Sequence, residues 1–236
     1  MIDIVNLSKK FGKVQALDNI SFQIKEGKII GIFGINGVGK STILKSIAGV
    51  IRPDKGKVLI DGEEISQKLY NKIAFVPDAD TYFPHLTIKE TFQFMKEFYI
   101  NWDEKKAYDM LKIFNLTDNK VISNLSKGNR ARVKIILGFA QNAKYILLDE
   151  PFSGIDIFKR EEFINVMVEF ISPEQSIIIT THEITEIEEI VEEVIIIHEG
   201  KVAFNFNVGE VRQNESKSIL DKMREVYRGE QDFNAL

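Results

Sequence analysis

The stretch Gly34-Ile35-Asn36-Gly37-Val38-Gly39-Lys40-Ser41-Thr42 constrains this chain more than any other, because it fits Gly-x-x-x-x-Gly-Lys-Ser/Thr in full. It follows Ile29-Ile30-Gly31-Ile32-Phe33, a short apolar run of the kind buried on both faces of a parallel sheet. It also opens a helix predicted over about residues 40–48, which Gly49 and Pro53 break. Glycines let such a loop curl so that successive N–H groups point inward at phosphate oxygens, and the helix N-terminus adds its positive end. Lys40 then supplies a full charge to the β- and γ-phosphates of a nucleotide, and Ser41 a hydroxyl ligand for Mg²⁺. Gly34, Asn36, Gly37, Gly39 and Thr42 complete the candidate phosphate-binding set. A plain strand-to-helix connector has no need of Gly-Lys-Ser in that register.

The remainder of the chain supplies the frame for such a loop. Residues 2–7 and 20–24 alternate as strands should, and residues 56–62 read as a hairpin. Ile73-Ala74-Phe75-Val76 is another apolar strand, stopped by Pro77. Residues 78–143 read mainly as helix, with Asp103 as an N-cap ahead of Ala107, Leu111 and Phe114 on one face. Apolar strands return at residues 145–148, 177–180 and 194–197, and strands alternating with helices are the pattern of an α/β core. From about Gly209 the tail is polar, with Ile219, Met223 and Val226 at helical spacing.

Composition removes several function classes. The 236 residues carry 31 Lys plus Arg against 35 Asp plus Glu, a formal charge of −4, so no broad electrostatic capture of nucleic acid is expected. The absence of cysteine excludes disulfides, thiolate metal sites and a cysteine nucleophile, and three histidines are too few for a His-rich metal centre. No apolar run approaches the ~20 residues that span a bilayer, and residues 1–6 do not look like a targeting segment. No direct membrane insertion is expected, so a membrane role needs a partner.

The run Tyr145-Ile146-Leu147-Leu148 ends in Asp149-Glu150, placed where open α/β sheets bind ligands, beyond the carboxyl ends of their strands. Asp149 is within reach of a Mg²⁺ shell. Glu150, one residue on, is positioned as the general base for an attacking water. An apolar run followed by Asp-Glu says little alone, and gains its meaning from the phosphate loop.

A guanine reader Asn-Lys-x-Asp is missing, since Asn119-Lys120-Val121-Ile122 lacks the acid. Instead Leu125-Ser126-Lys127-Gly128-Asn129 stands before Asp149-Glu150, with Ser153-Gly154-Ile155-Asp156 and Thr181-His182-Glu183 after them. This order resembles the ABC ATPase family over about residues 2–205. The resemblance implies an α/β fold: a P-loop NTPase core with a mixed sheet, an N-terminal antiparallel β region and an inserted helical lobe carrying the signature loop. It implies a cassette over 1–209, with a core of about 1–77 and 144–209, a lobe of about 78–143, and a helical tail over 210–236. It further implies ATP and Mg²⁺ as cofactors, and two cassettes, identical or related, sandwiching ATP head to tail. Ser126, Lys127 and Gly128 would then face the ATP held by the partner cassette. His182 would bond the γ-phosphate and orient Glu150, Asp156 would couple the two sites, and Phe11 would stack on adenine.

Two departures stand out. The family usually has glutamine where this chain has Asp78, a residue expected to touch Mg²⁺ and to sense the membrane partner, and an ionised carboxylate donates no hydrogen bond. Lys127 and Asn129 replace Gly and Gln of the usual Leu-Ser-Gly-Gly-Gln, bringing an extra cation toward the transferred phosphate. The short Leu-Ser-Lys-Gly signature resembles cassettes of bacterial exporters of peptides, antibiotics or lipids. The expectation is an ATP-hydrolysing subunit, peripheral on the cytoplasmic face of the plasma membrane through an integral membrane transporter subunit. A soluble switch in translation, repair or cluster assembly, and a degenerate ATP-binding scaffold, are the alternatives. Tyr82-Phe83-Pro84-His85-Leu86-Thr87 and the aromatics Phe92, Phe94, Phe98, Tyr99 and Trp102 are divided between lobe core and partner surface, which the sequence does not sort.

Overall fold

The computed structural model describes residues 1–79 and 83–228, apart from the side chains of residues 67 and 68. Along the chain, β1 (Ile2–Phe11), β2 (Val14–Ile24), β3 (Ile29–Phe33), α1 (Lys40–Ile47), β4 (Lys55–Ile60), β5 (Glu63–Glu64) and β6 (Ile73–Val76) lead into three helices. These are α2 (Ile88–Phe98), α3 (Glu104–Ile113) and α4 (Lys127–Ala140). Then follow β7 (Tyr145–Asp149), α5 (Ile157–Phe170), β8 (Ser176–Thr180), α6 (Ile184–Ile187), β9 (Glu193–His198), β10 (Lys201–Asn207), α7 (Val208–Glu215) and α8 (Ile219–Val226).

One sheet, ordered β2-β1-β4-β5, is antiparallel. The other is ordered β10-β9-β3-β8-β7-β6 and is parallel except for β10 at one edge. Strand β3 therefore lies inside the second sheet, between β8 and β9, and delivers the loop after it to the carboxyl edge. The parallel strands are apolar on both faces because both faces are covered. Tyr145, Leu147, Ile178, Ile195 and Ile197 join a core with Ile2, Ile4 and Leu7 of β1 and Ile43, Leu44 and Ile47 of α1. Ile146, Leu148, Ile177, Ile179, Val194 and Ile196 join the opposite core, which extends through Phe92, Leu111, Phe114 and Phe139 of the helices.

Local chemistry sets the helix ends. Thr87 and Glu90 form a reciprocal capping box on α2, and Asp103 accepts from the Lys106 N–H at 2.9 Å to start α3, with Ala107, Leu111 and Phe114 buried as their spacing predicts. Helix α4 begins at Lys127, two residues ahead of the expected 129, because Ser126 is its N-cap and accepts from the Asn129 N–H. Strand β2 starts at Val14 rather than at 20. Strand β10 is an addition to the sequence reading, whereas helix α7 overlaps the start of the helical tail expected over 210–236. The first is an edge strand whose apolar Val202, Phe204 and Phe206 are half-buried, and the second is capped by Asn207 despite Gly209 in its first turn. The expected tail boundary at 209/210 thus falls inside α7, while Ile219 and Met223 are buried on α8 as their spacing suggests. Residues 229–236 of the tail lie outside the described residues.

Gly138 of α4 faces Val76 of β6 so closely that a Cβ there would stand 2.3 Å from Val76 Cγ2. Gly138→Ala is expected to cost about 1–3 kcal/mol through overpacking. Adding Val76→Ala should recover part of that loss, as read by urea denaturation of the single and double variants. Equal and additive losses would show that the two residues do not compete for the same space.

Candidate functional site

The phosphate loop is shaped by backbone as much as by side chains. Gly37 has φ of +84° and open space where a Cβ would be, and Gly39, at φ +108°, would drive a Cβ to 2.5 Å from the Ala16 carbonyl oxygen. Both positions therefore require glycine. Gly39 is also the N-cap of α1, with no side-chain cap and no acidic residue in the first turn. The orphan N–H groups of that turn are left for an anion. Lys40 is buried, and its Nζ donates to the carbonyls of Gly34 at 2.8 Å and Ile35 at 3.1 Å. Burial pushes its pKa down, and the negative charges of Glu150 and Asp149 act against that shift.

Opposite the loop, the ends of β7 and β8 carry the acids. The register pairs Asp149 with Thr180. Asp149 is buried, and its Oδ1 accepts from the hydroxyls of Ser41 and Thr180, each at 2.8 Å. Thr180 escaped the sequence reading. Its signal is a hydroxyl ending the apolar run Ile177-Ile178-Ile179 just before Thr181-His182. Ser41 and Asp149 together present hard oxygen donors in the number Mg²⁺ takes from protein when a nucleotide's phosphates and water complete its shell. The donor set fits the ion, which when bound would neutralise charge on the β- and γ-phosphates.

Glu150 sits at φ +47°, a left-handed conformation that costs a non-glycine residue about 1–2 kcal/mol. Its N–H donates to the Thr180 carbonyl at 2.9 Å, and the turn carries its carboxylate to His182. His182 Nδ1 lies 2.9 Å from Glu150 Oε2, and the His182 N–H donates to the same oxygen at 3.3 Å. Burial raises the Glu150 pKa, with His182 and Lys40 opposing. A carboxylate so raised is a better proton acceptor than an exposed one. Beyond His182, Nε2 is 3.5 Å from Glu183, which Arg160 of α5 holds at 2.6 Å.

The remaining expected site residues fall elsewhere on the chain. Ser126 is exposed at the start of α4, Gly128 opens on free space, and both line a small hollow shared with Gly154 and Asp156. Asp156 caps α5 by accepting from the Phe158 N–H at 3.0 Å. Lys127 extends across Gly154, where an added Cβ would come 2.3 Å from Lys127 Cε. Among the described residues no hydrogen bond or ion pair joins residues 126–128 to the loop at 34–42. Phe11 is half exposed at the end of β1, with Lys9 Nζ 5.6 Å from its ring centroid. Asp78 is exposed beyond β6, and its backbone carbonyl accepts from Lys134 Nζ at 2.6 Å.

The aromatics run from buried to exposed, with Phe94, Tyr99 and Trp102 half-buried. Phe92 is buried against Trp102 and Tyr108, with centroids 5.7 and 5.4 Å away. Phe83, Phe94 and Phe98 instead form a ladder, with centroids 5.0 and 4.4 Å apart, whose ends Phe83 and Phe98 are exposed. Tyr82 lies outside the described residues.

Comparison with known proteins gives a consistent picture. The family model described as ABC transporter matches residues 17–153. The lipopolysaccharide export system ATP-binding protein LptB of Haemophilus influenzae is 29% identical, covering 96% of each chain. The sulfate/thiosulfate import ATP-binding protein CysA of Synechocystis is 32% identical over 85% of this chain and 59% of its own length. Among solved structures, the ATP-binding cassette MJ0796, a dimer in a post-hydrolysis state with ADP and Pi, superimposes with a TM-score of 0.78 at 28% identity. That match covers 88% of this chain and 98% of the other.

If Glu150 accepts the proton of an attacking water, it must be ionised to act. Its raised pKa then places the acid limb of the hydrolysis rate above the ordinary carboxylate range, so activity is lost on acidification sooner than an exposed glutamate would allow. A pH profile of kcat/KM for the full chain checks this, and a limb at or below the usual glutamate value would remove Glu150 from that role.

Proposed function

The chain belongs to the ABC transporter family, and from that membership we propose that it is the motor cassette of an exporter. It is an ATPase that binds ATP with Mg²⁺, and cassettes of its family dimerise and work with a transmembrane subunit. The observation that carries the catalytic part of this reading is one constellation: buried Lys40 in the loop, Ser41 and Thr180 on Asp149, and Glu150 paired with His182.

In this reading Gly34, Asn36, Gly37, Gly39, Lys40, Ser41 and Thr42 surround the ATP phosphates, and Phe11 stacks on adenine. Phosphoryl transfer needs chiefly positioning and charge neutralisation. Glu150 takes the proton of the attacking water, and His182 fixes its carboxylate and reaches the γ-phosphate. Ser126 and Gly128, at an exposed helix N-terminus, complete the site of a second cassette. Asp156 lines the same hollow as Ser126 and Gly128, and Lys127 lies across the neighbouring Gly154. Asp78 remains a candidate sensor of metal and membrane subunit.

Among the described residues no helix is long and apolar enough to cross a membrane. We therefore assign transport across the bilayer to a separate subunit, docked on the ladder of Phe83, Phe94 and Phe98 at the cytoplasmic face, since exposed aromatics are the anchors protein interfaces favour. Support for export comes from the match to LptB, which runs almost the full length of both chains and so includes the tail.

Glu150→Gln should keep ATP binding, lower turnover by about 10²-fold or more, and accumulate an ATP-bound dimer. Turnover assays and analytical ultracentrifugation decide it, and full turnover in that variant removes Glu150 as the base. For direction, the complex reconstituted with its cassettes facing the bath should move cargo into the vesicle lumen when ATP is added. ATP-driven outflow of preloaded cargo would make it an importer.

A further inference from the structure

The C-terminal helix ends on the phosphate loop. Tyr227, the residue that closes α8, is buried, and its Oη donates to the Ile197 carbonyl of β9 at 2.5 Å. The same oxygen accepts from the Ile35 N–H at 3.3 Å. Its ring stands edge-on to His198, with centroids 4.9 Å apart, so the phenol is fixed at both ends. A Cβ on Gly34 would come 2.5 Å from the Ile197 oxygen and 3.1 Å from Tyr227 Oη, so the loop's first glycine admits this close approach.

The peptide concerned is the one Lys40 depends on. The Gly34 carbonyl and the Ile35 N–H belong to a single planar unit. Its N–H is held by Tyr227, and its C=O accepts from Lys40 Nζ at 2.8 Å. Rotating this peptide would break both bonds together. At its other end α8 is tied toward the His182 segment, because the Ile219 N–H donates to Glu188 Oε1 at 3.0 Å and Glu188 directly follows α6. One helix therefore joins the two stretches that flank the proposed γ-phosphate position.

We propose that Tyr227 is a positioning residue for ATP binding: its hydroxyl locks the Gly34-Ile35 peptide and so presets Lys40 before nucleotide arrives. The proposal rests on the reading of residues 34–42 as the phosphate cradle. Preorganisation of this kind acts on affinity, because a loose loop must be ordered when it binds.

The test uses the full chain and Mg-ATP. Tyr227→Phe keeps the ring and removes only the oxygen. It should raise the Kd from equilibrium dialysis about three- to ten-fold, the scale of one hydrogen bond, while kcat at saturating ATP changes less than roughly two-fold. Amide exchange at residues 35–39 should quicken without nucleotide. Phe92→Leu, a core truncation remote from the loop, should lower Tm and leave Kd and that exchange unchanged. Lys40→Ala should weaken binding more than Tyr227→Phe. An unchanged Kd in Tyr227→Phe beside a weakened Lys40→Ala overturns the role of Tyr227 alone, as does an equal rise in Phe92→Leu. An unchanged Kd in Lys40→Ala overturns the cradle itself.

Discussion

A buried ammonium held by two backbone carbonyls organises this molecule's site. Lys40 is nearly inaccessible, and its bonds to Gly34 and Ile35 fold the loop back on the first turn of α1. Burying a charge is costly unless it is paired. The carbonyls provide dipoles, and Glu150 and Asp149 provide negative charge that works against the downward push of desolvation on the lysine. Together with the uncapped N-terminus of α1, the arrangement is incomplete without an anion, which is what a triphosphate brings.

The sheet turns this local motif into a reaction centre. Strands β3, β7 and β8 are parallel neighbours, so their carboxyl ends release Ser41, Asp149 with Glu150, and Thr180 with His182 at one edge. The cross-strand pairing of Asp149 with Thr180 aims one hydroxyl at the Asp149 carboxylate. The left-handed turn at Glu150 rotates the adjacent acid toward His182. A left-handed conformation at one residue thereby turns two neighbouring carboxylates toward different partners, Ser41 and Thr180 for Asp149 and His182 for Glu150.

The helical region is linked to that edge through backbone. Lys134 of α4 donates to the carbonyls of Pro77 and Asp78, anchoring the exit of β6 by contacts that do not depend on the side chain at 78. Lys127 lies across Gly154, so the start of α4 stands close to the turn after Glu150. Tyr227 adds a third tie, from the tail to the loop. Lys134 of α4 thus reaches the backbone at the exit of β6, and a hydroxyl from the end of α8 reaches the phosphate loop.

The sequence by itself determined what local chemistry can determine. The phosphate loop was legible residue by residue because its decisive contacts, Lys40 to Gly34 and Ile35, span only six positions. The capping of α3 by Asp103 and the buried strands followed from periodicity and from polar residues at their ends. Thr180, 31 residues from Asp149, gave no comparable signal, and neither did Tyr227, 192 residues from Ile35. The same holds for the division of Phe92 from the exposed Phe83 and Phe98, since α2 presents aromatics on more than one side. Tertiary structure alone decided these, because strand order in a sheet is chosen by which apolar faces close against each other. Pairing of β7 with β8 brought the Thr180 hydroxyl to Asp149, and the packing of α8 against β9 brought the Tyr227 hydroxyl to the loop.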